Sequence, residues 1–328
     1  MSESLRTLLE DDNGLWTTAL DGQGGGRAIE PHEAQSHQGP VWVHVDRGVP
    51  KGRDWLTKGA GLADTIVEAL LAEESRPRVS SFDGGVLINL RGVNLNPGAD
   101  PEDMVSLRLW LEPNRIISVR HRRLQAVGRL ADALDVRKGP RNPQEFVCSL
   151  VEQLIDLIGP VVDKLEDAID EIDEHALQGK QRGTPRELAE NRRRIVSLRR
   201  YIAPQRDALA RLSSDVTLPF SPETRIKLRE SSDRMTRITE DLDAVRERAA
   251  VTQEQLVSQA SEVLNHRMYI LAIVTAVFLP LGLLTGLFGI NVGGIPLAEN
   301  EHGFQLIVAV LAGLTVVEIA LFKKLGLL

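Results

Sequence analysis

Residues 285–296 read TGLFGINVGGIP and close an apolar run that begins at Met268. A helix end capped by Gly289 would ordinarily give way to a polar loop, yet Ile290, Asn291 and the pair Gly293-Gly294 follow at once. Working back from that ending, Met268 to Phe288 is about 21 residues without a charge. At 1.5 Å rise each, they reach about 31 Å, the thickness of a bilayer's hydrocarbon core. Phe304 to Phe322 supplies a second stretch of about 19 residues, interrupted by one carboxylate, Glu318. The sequence therefore predicts two membrane spans near its C-terminal end.

The mean hydropathy of −0.12 is that of a soluble protein, because a long polar region dilutes a short membrane region. The flanks set the orientation. His266-Arg267 precede the first span and Lys323-Lys324 follow the second, while the connection 292–303 holds no Lys or Arg. By the positive-inside rule both termini are expected in the cytoplasm, with Glu299, Glu301 and His302 on the outer loop. The N-terminal MSESLRTLLEDDNG is acidic and lacks an apolar core, so neither a signal peptide nor a transit peptide is expected. The single cysteine, Cys148, excludes an internal disulfide and a multi-cysteine zinc site and reads as a small buried side chain.

Residues 1–140 mix strand-like and helical runs. VWVHVD (41–46), GVLINLRGVNL (85–95), MVSLRLWLE (104–112) and RIISVRH (115–121) read as strands, and the helical period appears near 62–74 and 123–136. DGQGGGRAIE lacks the ending of a phosphate loop and reads as a flexible turn. His32, His37 and His44 lie close in sequence, but two of them fall in a Pro/Gly/Gln-rich loop, and no metal site is predicted there.

Residues 141–265 turn helical. An acidic helix over 146–177 (DKLEDAIDEIDEHAL) is joined by a short loop to an arginine-rich one opened by a capping box, Thr184, Pro185 and Glu187. The simplest reading is an antiparallel hairpin whose opposite charges face each other; a surplus of carboxylate that attracts cations is the alternative. Local balance of the arginines and a net charge of −7 speak against a nucleic-acid partner. Ser221-Pro222-Glu223 then opens a helix with no further Pro or Gly until Pro280. Continuous to Phe288, it would be about 67 residues, or about 100 Å.

Two stripes run along that helix. Leu228, Met235, Ile238, Leu242, Val245, Ala249, Leu256 and Val263 form an apolar one suited to packing. The opposite stripe carries Glu240, Asp243, Glu247, Glu254, Ser258, Ser261 and Asn265, then enters the first span as Met268, Ala272, Thr275, Leu279, Gly282 and Gly286. It is either a solvated face and a helix contact, or the wall of a pore. Two spans cannot enclose a water-filled path, so a pore requires several copies around an axis. The carboxylates of each copy would then form a negative funnel. Leu279 could form a dewetting constriction or a core contact, and residues 266–328 form the membrane region.

The run from Asn265 and Met268 through Thr275, Phe278, Pro280 and Thr285-Gly286 to Gly289-Ile290-Asn291, with two C-terminal spans and a long helix leading into the first, resembles the CorA superfamily of divalent-cation transporters. Gly-Ile-Asn followed by Gly-Gly-Ile-Pro, where the hallmark is Gly-Met-Asn, is similar to its zinc-associated ZntB branch. The resemblance implies an α+β cytoplasmic domain, a long helical stalk and two transmembrane helices in a funnel-shaped homopentamer of the bacterial inner membrane. It also implies a pore lined by the first span, and coupling to protons. On that reading Asn291 would offer neutral amide groups to the water shell of an arriving metal ion, an ordinary helix C-cap being the alternative; Glu299, Glu301 and His302 would gather cations or respond to pH, or form a merely solvated loop. A carboxylate inside a span is costly, which makes Glu318 a candidate for proton coupling, against a structural or interface-snorkelling role that its position near Lys323-Lys324 favours. The transported cation, zinc foremost, is a substrate and no cofactor is implied. A magnesium or cobalt channel of the same superfamily and a membrane-anchored scaffold or sensor are the competing functions. No nucleophile elbow, zinc-protease helix or paired-carboxylate site argues for an enzyme.

Overall fold

Strand formation follows side-chain chemistry most plainly at VWVHVD, where β-branched and aromatic residues fill Val41–Asp46. The computed structural model describes residues 4–11, 13–73, 76–178, 185–289, 295 and 301–326. They fall into two units, Met1–Gln253 and Glu254–Leu328. In chain order the first contains α1 (Leu5–Glu10), β1 (Leu15–Leu20), β2 (Gly26–Ala28), β3 (Val41–Asp46), α2 (Pro50–Asp54), α3 (Asp64–Leu71), β4 (Arg78–Phe82), β5 (Gly85–Gly92), β6 (Val105–Leu111), β7 (Arg115–Arg120), α4 (Gln125–Asp135), α5 (Pro143–Leu177), α6 (Pro185–Ser214) and the first part of α7 (Pro222–Phe288). The second holds the rest of α7 and α8 (Gly303–Lys324).

The strands form one seven-stranded sheet in the order β2-β1-β3-β7-β6-β5-β4. Only β3 and β7 pair in parallel. One face of the sheet presents Val43, Val45, Leu87, Trp110, Ile117 and Val119 to Leu56, Ile66 and Leu70 around α2 and α3. The other face is closed by α4 and α5, with Phe146 of α5 centred 5.0 Å from the ring of Trp42. Cys148 is buried beside them, and desolvation pushes its thiol pKa up to about 12.

The sheet gives two local readings their detail. DGQGGGRAIE is the hairpin between β1 and β2, ordered by Asp21, whose Oδ1 accepts from the backbone N–H of Gln23 at 2.7 Å and of Gly25 at 2.8 Å. His44, left open between inside and outside, is 1% exposed between Trp16 and Trp42, at ring-centroid distances of 5.5 and 5.8 Å. Its Nδ1 lies 2.7 Å from Ser118 Oγ. Burial, then the nearby Arg120 charge, holds its pKa well below the ordinary histidine value, so it is a neutral core residue. His37 is engaged with Gly39, and the described residues contain no metal-sized group of His, Cys, Asp or Glu.

The long helices begin at readable signals. Asn142 caps α5 by accepting from Glu145 N at 2.9 Å, Glu145 returns a bond to Arg141 N, and Pro143 takes the first helical position. Ser221 does the same for α7, accepting from Thr224 N ahead of Pro222. Thr184, the cap expected for α6, lies outside the described residues.

Along the first part of α7 the apolar stripe is buried as expected at Leu228, Met235, Leu242, Val245 and Ala249, each at most 2% exposed. Leu242→Ala removes a fully buried side chain, and a loss of about 2–5 kcal/mol is expected in denaturant unfolding of the solubilised chain. Ile226→Ala, at a position 70% exposed, should change stability little by the same assay.

Candidate cation pathway

Two helices, within α7 and as α8, are long and apolar enough to cross a membrane. In the second unit, exposure varies around each of them. On α7 the half-buried positions are Ile273, Val277, Pro280, Leu281, Leu284 and Phe288; on α8 they are Ile307, Leu311, Leu314, Thr315, Glu318 and Phe322. Spacings of three, four and seven place each set on one face, and half-burial in a unit whose described helices are these two follows from the faces packing together. Glu318 belongs to that half-buried face of α8, with Oε2 shut from solvent and, among the described residues, without a hydrogen-bond partner.

The stripe Met268, Ala272, Thr275, Leu279, Gly282 and Gly286 lies about half a turn around α7 from that contact face at 3.6 residues per turn. Every member is exposed, Leu279 to 71%. A methyl group at Gly282 or Gly286 would meet nothing within 4 Å among the described residues. Contact with α8 therefore does not explain these glycines. Thr275 Oγ1 donates to Leu271 O at 2.8 Å, which satisfies its proton and leaves oxygen lone pairs free to accept. Pro280 lacks an N–H, so the Ala276 carbonyl loses its usual helical donor.

At the C-terminal end of α7, Gly289 N donates to Thr285 O at 2.9 Å and closes the helix. A side chain there would approach Thr285 O at 3.1 Å, tight enough to favour glycine. Ile290, Asn291, Gly293, Gly294 and Glu299 lie outside the described residues. Glu301 is exposed, and His302 occupies the position before α8. Below the span, Asn265 and Glu254 are exposed.

The first unit distributes its carboxylates differently from the expected acidic–basic hairpin. Three ion pairs join α7 to both neighbours: Asp156 with Arg234 at 2.5 Å, Asp170 with Arg248, and Arg199 with Asp243. Thr252 adds a hydrogen bond to Asp173 at 2.7 Å. The charge complement of the acidic helix is the third helix, because α7 presents arginines to α5 and an aspartate to α6. Sequence reasoning placed Asp243 in the polar stripe, and the structure brings it to Arg199 and Arg246. Glu240 and Glu247 remain exposed. The signal missed was Arg199, one of several arginines on α6 that sequence alone does not rank.

A bundle of this kind, with an α+β unit before two apolar C-terminal helices and a small-residue face on the first, is the architecture of a membrane transport protein. The family model described as "CorA-like Mg2+ transporter protein" matches residues 37–324, and the chain belongs to this CorA-like family of divalent-cation transporters. It is 39% identical over 323 residues to the "Divalent cation transporter CmaX" of Pseudomonas aeruginosa, covering 96% of this chain and 97% of that one. It is 35% identical over 297 residues to the "Zinc transport protein ZntB" of Pectobacterium atrosepticum, covering 90% of each. The solved full-length CmaX structure superposes with a TM-score of 0.83 at 38% identity, over 96% of this chain and 99% of that one.

The hydrogen bond from Arg199 and the Arg199 charge hold the Asp243 carboxyl below its ordinary value of 3.8. A depressed carboxylate contributes stability above its unfolded pKa and loses it as pH falls through the folded one. Wild type should therefore exceed Asp243→Asn by less than about 1 kcal/mol at neutral pH, given the partial exposure of the pair. The difference should vanish as acid titrates Asp243 below pH 3.8, checked by urea unfolding across pH.

Proposed function

We propose that copies of this chain assemble around an axis, five by resemblance, and conduct divalent metal cations through a pore lined by α7. Zinc is the favoured ion, and the bacterial cytoplasmic membrane is the site, with both termini inside. The observation that carries the reading is the bare face of Thr275, Gly282 and Gly286, opposite α8 and unexplained by any contact among the described residues. Asn265, Met268, Ala272 and Leu279 complete the lining, and Leu279 forms the constriction.

Gly289, Ile290 and Asn291 form the outer mouth, where a ring of neutral amides binds the ion through its water. A neutral ring suits passage, since a charged cage would retain the ion. Glu299, Glu301 and His302 concentrate cations outside, and Glu240, Glu247 and Glu254 do so in the cytoplasmic funnel. Asp243, neutralised by Arg199, contributes less field. Functionally the chain divides into residues 1–140, a 141–265 stalk and a 266–328 membrane region. The membrane potential favours inward movement by about 4.6 kcal/mol per divalent ion per 100 mV, and Glu318 is the group through which a proton gradient would act. The cation is the substrate; the mechanism needs no covalent step and no cofactor.

Zinc rests on the Gly-Ile-Asn signature and the ZntB relatives. Magnesium is the second reading, favoured by the family description, and the CmaX name specifies neither ion. Flux into liposomes carrying the full chain, with zinc or magnesium and with or without a pH gradient, separates them. Zinc flux above magnesium flux is expected, and Asn291→Ala should lower it roughly tenfold, equivalent to about 1.4 kcal/mol. Unchanged flux in that variant removes Asn291 from selectivity. Glu318→Gln should abolish the response to the pH gradient while leaving potential-driven flux.

A further inference from the structure

We propose that Arg47, Asn89 and Arg108, in the first unit, bind a small inorganic anion. The three lie beneath the C-terminal end of α3, on the sheet face that α2 and α3 cover. Register brings two of them together: Asn89 of β5 pairs with Arg108 of β6 on one side and with Arg78 of β4 on the other. Arg47, just past β3, reaches the same carbonyls as Arg108. Arg47 Nη1 donates to Leu71 O at 2.8 Å and Ala72 O at 3.0 Å, and Arg108 Nη2 donates to Ala72 O at 2.5 Å. Both guanidiniums thus cap the negative end of α3.

Those carbonyls use only part of the available donors. Asn89 and Arg108 are each 1% exposed. Among the described residues, Arg47 Nε, Arg108 Nε and the side-chain nitrogen and oxygen of Asn89 are buried without a hydrogen-bond partner. Buried polar atoms are almost always paired, so two unpaired guanidinium N–H groups and an unpaired amide on residues joined by register and by a shared carbonyl mark the place of a missing partner. The charges acting on Arg108 give that partner its sign, since Arg47, Arg91 and Arg78 are all cationic. Burial, then these neighbours, pulls the Arg108 pKa down to about 10, which leaves it charged at neutral pH. Two guanidinium N–H groups and an amide N–H offer an anion the charge-assisted bonds arginine makes best. Burial of Asn89 and Arg108 excludes larger organic anions.

The inference does not depend on the transported ion or on the pore. Its test is thermal unfolding of the purified full chain in chloride, inorganic phosphate or gluconate at equal ionic strength and pH. A saturable rise in midpoint with chloride or phosphate, absent in gluconate, is expected; the ion that saturates at the lower concentration is the one the site prefers. Asn89→Asp places a carboxylate beside Arg108 and should erase that rise. Equal midpoints for wild type in all three anions, or the same rise in Asn89→Asp, overturns the proposal. Should that variant fail to fold, crystals of the wild-type chain grown in bromide decide the matter. An anomalous peak within bonding reach of Arg108 Nε supports the site, and bare density there contradicts it.

Discussion

A helix that crosses a bilayer satisfies its own backbone hydrogen bonds, so its sequence is free to report what surrounds it. Around the membrane part of α7 the report is asymmetric. One side carries the bulky Ile273, Val277, Leu281, Leu284 and Phe288 and meets α8. The opposite side carries Thr275, Gly282 and Gly286, which lipid tails do not require and which no contact among the described residues explains. Small residues let a backbone approach something closely, whether another helix or a hydrated ion. On the proposed assembly the latter holds at the axis, and α8 stands outside the ring of α7 helices.

The same helix is gripped in the first unit by charge as well as by apolar burial. Leu228, Met235, Leu242, Val245 and Ala249 exclude water from one side, while Arg234 and Arg248 reach α5 and Asp243 reaches α6. Exposed ion pairs of this kind contribute little to stability individually. Their effect is on charge distribution, since they neutralise Asp156, Asp170 and Asp243 and leave Glu240 and Glu247 as exposed charge along α7.

Much of the fold was legible because period reports burial. The strands at 41–46, 85–92, 105–111 and 115–120 carry apolar runs bounded by turn residues, and α3 and α4 show the helical repeat. β1 escaped because LWTTAL is buried at every position and has no alternation to detect. β4 escaped because an edge strand reading RVSSF is mostly polar, although Asp83-Gly84 after it is the usual signal of a two-residue hairpin. In the candidate pathway, helical spacing alone assembled the stripe from Met268 to Gly286, but a charge pattern names no partner. That α5 would pair with α7, that Asp243 would meet Arg199, and that Glu318 would lie on a half-buried face all depend on another element's position, which periodicity within one helix does not encode.

The central claim is that the face of α7 bearing Thr275 borders water. Cys148 is buried away from thiol reagents, so the wild-type chain is the control against which single introduced cysteines are read. In the full chain in liposomes, Thr275→Cys should react with a charged, membrane-impermeant thiosulfonate and lose cation flux, whereas Val277→Cys, on the α8 side, should do neither. Equal reactivity at the two positions, or a Thr275→Cys protein that is untouched by the reagent and still conducts, would contradict the account.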